Sequence, residues 1–269
     1  MSEAVVLSLD NGIADLRLNR PEKMNAIDEG IMTGLRQSLE NIRQNPSVRC
    51  VVISGNGKGF CAGLDFSNFG DMLSGELTAE GVAEAYEDLS PAGANQVQQL
   101  GWGWQELSVP VIAAVHGAAL GGGLNVALGA DIRIVHPETK MGFVEIGFGL
   151  LPDMSATQSL RRLASLDRIK ELIFTGRKFT GRQALDYGLA TELSDTPLEA
   201  AMEMARAIAG RNPDAVRKAK ELLNQSALVD VRDGLIAESN CSRTMMGTPN
   251  QLEAVMASLE KRQPVFADT

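Results

Sequence analysis

The chain has 269 residues, with 34 acidic against 25 basic side chains and two histidines, so its formal net charge is −9. Hydrophobic residues at 44% and charged residues at 22% are ordinary globular usage, which excludes a disordered chain and a fibre. A sequence pI near 4.9 with scattered Lys and Arg excludes a basic footprint for nucleic acid.

In chain order, short β-branched or alternating runs at 5–9, 13–18, 50–54, 109–115 and 132–135 predict strands. Between the second and third, residues 28–43 place Ile31, Leu35, Leu39 and Ile42 at helical spacing behind Asp28 as N-cap, and Asn45-Pro46 stops the helix. The stretch 72–107 is interrupted by Glu, Gly, Ser and Ala up to Pro91. It reads as a mobile surface segment leading into a helix marked by Val97, Leu100 and Trp104. A helix is expected over 155–163, and beyond it helical signals dominate at 167–175, 181–187, 198–209, 214–224, 231–246 and 251–261. Pro197 and Pro213 fall near helix starts, where a missing N–H costs little. The reading divides the chain into a core over 1–195 and a helical region over 196–269.

Three cysteines, Cys50, Cys61 and Cys241, form no C-x-x-C pair and have no histidine at ligand spacing, so neither a disulfide framework nor a metal site is expected. No apolar run reaches about 18 residues and no basic leader opens the chain. No membrane span is expected, and the expected location is cytoplasmic.

Two glycine-rich turns follow buried strands: Gly55-Asn-Gly-Lys-Gly-Phe-Cys-Ala-Gly-Leu-Asp65, and His116-Gly-Ala-Ala-Leu-Gly-Gly-Gly-Leu-Asn125, which opens a helix. Neither has the spacing of a dinucleotide or phosphate loop, so backbone N–H groups converging on a single oxygen are the better reading. A lone Glu or a Pro-Asp pair in such surroundings is ordinarily solvated, and Asp153 could equally cap the helix expected after it. His116 and His136 read as structural, and no histidine pattern activates Cys61 as a nucleophile.

With Leu18-Asn-Arg-Pro-Glu-Lys-Met-Asn-Ala26, Phe60-Cys-Ala-Gly-Leu-Asp65, Gly121-Gly-Gly123 and Met141-Gly-Phe-Val-Glu-Ile146 in this order, the chain resembles the enoyl-CoA hydratase/isomerase (crotonase) superfamily. The resemblance continues through Thr157-Gln158, Thr175-Gly176 and 184–189 to Glu260-Lys-Arg262. It implies an α/β fold, a spiral of ββα repeats with a C-terminal helical trimerisation region, assembled as a homotrimer or a hexamer of two trimers. It implies an acyl-CoA thioester substrate, with coenzyme A as part of the substrate and no separate cofactor.

For the site, the resemblance implies an oxyanion hole from the backbone N–H groups of Ala62 and Gly122. It sets Leu64 and Asp65 along the coenzyme A path, Lys23 near its phosphates, and Lys261 reaching a neighbouring subunit's coenzyme A. An aromatic residue that the family carries shortly before this lysine is Ser258 here. Glu145 falls on the second of two hydratase glutamates, whereas the first is replaced by Asn125, and Asp153 matches an acidic position of a dienoyl-CoA isomerase branch. A single carboxylate suffices to shuttle a proton between C2 and C4, so double-bond isomerisation is expected, with hydration of a trans-2-enoyl-CoA and a non-catalytic acyl-CoA-binding role as alternatives.

Overall fold

The computed structural model describes residues 4–65, 74, 83–87 and 89–269. The main sheet has six strands, β1 (Val5–Asp10), β2 (Ile13–Leu18), β3 (Cys50–Gly55), β4 (Val111–Val115), β6 (Ile132–Val135) and β9 (Glu192–Leu193), in that spatial order. β1 and β2 form an antiparallel hairpin around Asn11 and Gly12, both at positive φ, and every later pairing in this sheet is parallel. The five strands expected from the sequence are all present. β4 begins at Val111 because Pro110 has no N–H to give, and its carbonyl accepts from Val51 instead.

A second sheet is built from β5 (Ala118–Leu120), β7 (Lys140–Gly142) and β8 (Phe179–Thr180). Isolated bridges continue its pattern, from Cys61 to Ala119 and from Ile27 to Leu64. The spiral follows from this arrangement: β4 runs in the main sheet, β5 in the second, and a helix, Gly122–Gly129, leads back to β6. Strands of two or three residues carry no readable alternation, which is why β5, β7, β8 and β9 are not predicted from sequence.

β3 is wholly buried because the main sheet is covered on both faces. Val51 and Ile53 face the larger core with Leu35, Leu39 and Trp104, whereas Cys50 and Val52 face Ala201, Ala205 and Ala209 of the helix Pro197–Ala209. The small side chains let this helix lie close on the sheet, so the helical region 196–269 opens with an element that packs directly on the main sheet. Lys220, from the helix Pro213–Ser226, is buried on an ion pair with Asp131 (2.8 Å) and on the carbonyls of Trp104 and Val109 (both 2.9 Å). A buried ammonium is tolerable only with such a full set of acceptors.

Helix Glu29–Gln44 forms as expected, with Asp28 as its N-cap accepting from Ile31 N–H at 2.9 Å. Its apolar stripe Ile31, Leu35, Leu39 and Ile42 is buried, each side chain contributing about 1.5–3 kcal/mol. Pro197 and Pro213 occupy first helical positions. The helix expected over 155–163 is the shorter Ala156–Leu160, and Asp153 does not cap it: Ser155, at φ 70°, takes the N-cap position without a side-chain capping bond. The interrupted stretch 72–91 lies mostly outside the described residues. Past it, a helix runs Gln96–Glu106 with Asn95 and Gln98 completing a capping box.

Candidate active site

The site residues follow directly on rungs of the second sheet. Cys61 leads into Ala62–Leu64, Leu120 into Gly121 and Gly122, and Gly142 into a 3-10 helix, Val144–Phe148, that carries Glu145. Short strands in register therefore bring three distant segments to one place. Gly63, at φ +95°, passes so close to Leu120 that a Cβ would stand 2.8 Å from its carbonyl oxygen. A Cβ on Gly122 would meet Met154 Sδ at 2.8 Å and Ile27 Cδ1 at 2.9 Å.

The expectation that Ala62 supplies a free N–H is not met, because that group donates to the carbonyl of Met24 at 2.9 Å. Two positions on, the parallel bridge is made by Ile27 N–H to Gly63 O (2.7 Å) and Asp65 N–H to Ile27 O (2.9 Å). Leu64 N–H takes no part in either bond and has no acceptor among the described residues. Gly122, at the first position of its helix, likewise has an N–H with no partner among the described residues. Among the described residues Leu64 and Gly122 are thus donors without an acceptor, as are Gly123 and Leu124 in the first turn of the helix. Sequence pattern places the turn but does not say which of its amides the neighbouring loop has used.

That neighbouring loop is the Leu18–Ala26 motif, and its polar residues hold the turn. Asn25 is fully buried at φ 57°, a conformation Asn tolerates, and its Nδ2 donates to the carbonyls of Asn56 (3.0 Å), Gly59 (2.9 Å) and Phe60 (3.1 Å), while its Oδ1 accepts from Arg20 N–H (2.8 Å). Arg20 Nη1 binds Asp65 Oδ2 at 3.0 Å, Asp28 Oδ2 at 3.1 Å and Ala26 O at 2.7 Å. Asp65, expected along the coenzyme A path, is therefore buried on this arginine and fastens the turn from within. Lys23 is exposed on the same loop, at the end of the 3-10 helix Pro21–Lys23. Lys261 is exposed at the end of the helix Pro249–Glu260, and no hydrogen bond or ion pair among the described residues ties it to the rest of the site.

Asn125, Glu145 and Asp153 do come together. Asn125 is 1% exposed, and its Nδ2 donates to Glu145 Oε1 at 3.0 Å and to Gly121 O at 3.1 Å. Two acceptors fix which end of the amide is nitrogen. Asn125 Oδ1 and Glu145 Oε2 are both buried with no partner among the described residues. Burial holds Glu145 above the ordinary carboxylate range, its own backbone and the Asn125 N–H work against this, and nearby Asp153 adds to the rise. Asp153 is exposed yet is also raised, chiefly by desolvation, with its own backbone and the neighbouring Tyr86 hydroxyl working against the rise. Tyr86 is a site residue that sequence reasoning does not reveal, since it sits in a stretch without helical rhythm.

His116 Nε2 lies 3.0 Å from Gly57 O, and His136 Nδ1 accepts from Glu138 N–H at 3.2 Å, both local turn contacts. Cys61 donates its thiol to Asn25 O at 3.0 Å, and burial pushes that thiol up to about 12. Cys50 is pushed up to about 12 by the same cause. Alkylation of the folded protein near pH 8 should therefore leave Cys50 and Cys61 unmodified and label Cys241 alone, as peptide mass mapping will show. Labelling of Cys61 at the rate of a free thiol would return it to the list of nucleophiles.

Residues 8–269 match the family model described as enoyl-CoA hydratase/isomerase. "Probable enoyl-CoA hydratase 2, mitochondrial" of Arabidopsis thaliana is 34% identical over 260 residues, covering 96% of this chain and 82% of that protein. "Enoyl-CoA isomerase/hydratase fer4" of Mycosarcoma maydis is 32% identical, covering 95% of this chain and 92% of its own. The crystal structure of an enoyl-CoA hydratase from Bacillus anthracis superposes with a TM-score of 0.88 at 30% identity, covering 99% of this chain and 100% of the other.

Proposed function

The chain belongs to the enoyl-CoA hydratase/isomerase family, and within it we propose that its reaction is migration of a double bond in an enoyl-CoA thioester, with Glu145 as the acid/base. The thioester oxygen lies between Leu64 N–H and Gly122 N–H. Glu145 Oε2 takes a proton from C2 of a 3-enoyl chain, the electron pair moves through the C1–C2 bond onto that oxygen to give a dienolate conjugated with the C3–C4 double bond, and as the pair flows back the same carboxyl returns the proton at C4, which leaves the double bond between C2 and C3. Charge appears on the oxygen only as the proton leaves, so rigid donors aimed there act on the transition state, each being worth about 2.7–4 kcal/mol.

The observation that carries this reading is the Asn125 amide. It gives an N–H to Glu145 and has no proton to accept or release near neutral pH, so of this hydrogen-bonded pair Glu145 alone can transfer a proton. A second reading, hydration, is favoured by the unpartnered Asn125 Oδ1 and Glu145 Oε2, two acceptors able to seat a water molecule. A panel of 3-enoyl-, 2-enoyl- and 3,5-dienoyl-CoA esters in deuterated water separates the two. A displaced double bond with deuterium as the sole change of formula is the expected product. Addition of one water would replace this reading by the second.

Lys23 serves the phosphates of coenzyme A in this proposal, and Lys261 reaches the substrate of a neighbouring subunit. The helix Val231–Met245 buries none of its residues, and Val231, Leu235, Leu252, Met256 and Leu259 are exposed on the C-terminal helices, an apolar surface suited to a homotrimer or a pair of trimers. Light scattering should give three or six times the 28.7 kDa chain mass. A stable monomer would remove the role of Lys261.

A further inference from the structure

A concavity separate from the acyl site lies where the turn after the helix Ala156–Leu160 meets the start of the helix Leu166–Thr175 and the end of the helix Gly181–Asp186. It is a cleft of about 800 Å³, within the range of small-molecule sites, and none of Leu64, Gly122, Asn125, Glu145 or Asp153 lines it. Its lining carries Arg161, Arg162 and Arg168 against one acidic residue, Asp186. In a chain of net charge −9, this is a local reversal of sign.

The cations of the cleft are poorly matched from within the chain. The Arg162 side chain makes no hydrogen bond and no ion pair among the described residues: its Nε is buried without a partner, and its guanidinium carbon stands 6.0 Å from the centre of the Trp102 ring. Burial and the adjacent Arg161 both weigh against its charge. Arg161 reaches only the neutral Gln158, at 3.3 Å. One turn before Arg162, the Ser159 hydroxyl is likewise buried without a partner. Arg168 is fixed more firmly, with Nη1 on Glu171 at 3.0 Å and its guanidinium carbon 4.6 Å from the centre of the Tyr187 ring. Glu171 is shared with Arg177, so cations outnumber acids there too. Asp186 is exposed and forms no ion pair with these arginines among the described residues, while Asp167 is engaged by Ser165 and by backbone at the start of its own helix.

We infer that this cleft binds the phosphate group of a small phosphate ester, held by the guanidiniums of Arg161 and Arg162 with Arg168 as the third cation. A dianionic phosphate carries charge enough for two guanidiniums and oxygens enough for forked contacts with both, whereas a carboxylate satisfies one. It supplies the acceptor that Arg162 lacks, and the volume of the cleft leaves room for the organic part of the ester. The phosphates of coenzyme A belong to Lys23 in the function proposed above, so the ester is a separate molecule. The inference does not depend on which reaction the acyl site performs.

The test is calorimetric titration of the full-length protein with glycerol 3-phosphate at low salt, with acetate beside it. One ester per chain is expected, bound at least about tenfold more tightly than acetate. Its affinity should fall at least about tenfold in the double variant Arg161→Gln, Arg162→Gln, and should weaken with added salt. Arg162→Lys keeps the charge without the fork and should lie between parent and double variant. Saturating pentanoyl-CoA should leave the ester bound. No binding to the parent, binding no tighter than that of acetate, or full binding by the double variant overturns the inference. Displacement by pentanoyl-CoA overturns it as well and gives the cleft to the coenzyme's own phosphates. Should the double variant not fold, the parent decides: glycerol 3-phosphate must raise its melting temperature above that in chloride of equal ionic strength, and equal values overturn the inference. A parent that binds no ester, beside a double variant that loses its assembled mass in light scattering, would assign the cleft to a contact between copies of the chain instead.

Discussion

Glu145→Gln should lower kcat by about 10²- to 10⁴-fold while leaving acyl-CoA affinity close to that of the parent. Gln keeps the shape of the side chain and can still meet Asn125, but it cannot carry a proton between carbon atoms. The folded protein should be no less stable for the change. Glu145 has a native value raised above 4.5, mainly by burial. Between 4.5 and that value the native state therefore binds more protons than the unfolded chain, and stability falls as pH rises through this window. Gln removes the ionisation and with it the loss. Denaturant midpoints at pH 4 and pH 8, set beside single-turnover rates, check both halves, and a variant that turned over at the parental rate would end the assignment of Glu145.

The same titration shapes the activity of the parent. A base must be ionised, so the rate should rise with pH along a limb centred above 4.5. The Asn125 N–H works against the rise in Glu145. Asn125→Leu should therefore move that limb to higher pH, a displacement that simple loosening of the fold would not produce.

The second large effect is expected at Asn25. Asn25→Leu removes a donor from two buried carbonyls and a half-buried one and an acceptor from Arg20 N–H, and it places a branched side chain at φ 57°. Unsatisfied buried groups cost about 1–3 kcal/mol each, so a loss of at least about 3 kcal/mol is expected, enough to lower the melting temperature by several degrees. Activity should fall further than the unfolded fraction explains, because the freed carbonyls belong to the turn that presents Leu64. Asn25→Asp offers no escape: it restores the contact to Arg20 N–H but sets a carboxylate against the three carbonyls. A melting temperature within a degree of the parent for both variants would show that the loop does not depend on this side chain.

Much of the fold is legible in the sequence because its signals are local. Asp28 before a helical stripe, Pro197 and Pro213 at helix starts, and the β-branched run at Cys50–Gly55 each specify their own structure. The second sheet is not legible, since Ala118–Leu120 and Lys140–Gly142 are strands only by virtue of their pairing with each other. At the site, Asn125 meets Glu145, and Gly122 opens its helix, as neighbours of motifs that the sequence displays. The exchange of Ala62 for Leu64 as donor, the engagement of Asp65 by Arg20, and the approach of Tyr86 to Asp153 depend on contacts between segments far apart in the chain. Which hydrogen bonds a loop has already made is a tertiary fact, and composition and spacing do not record it.

The amides of Leu64 and Gly122 combine two properties that rarely coincide, because each is fixed in place by its neighbours and yet bonded to nothing among the described residues. Protection against hydrogen exchange normally reports both rigidity and bonding, and here the two come apart. These two amide protons should exchange with solvent deuterium as fast as those of a frayed loop, while Ala62 and Asp65 on either side of Leu64 exchange slowly. Once a thioester oxygen is seated they should become slow as well, without any movement of the backbone. The resting protein thus carries its own occupancy gauge, readable from two protons.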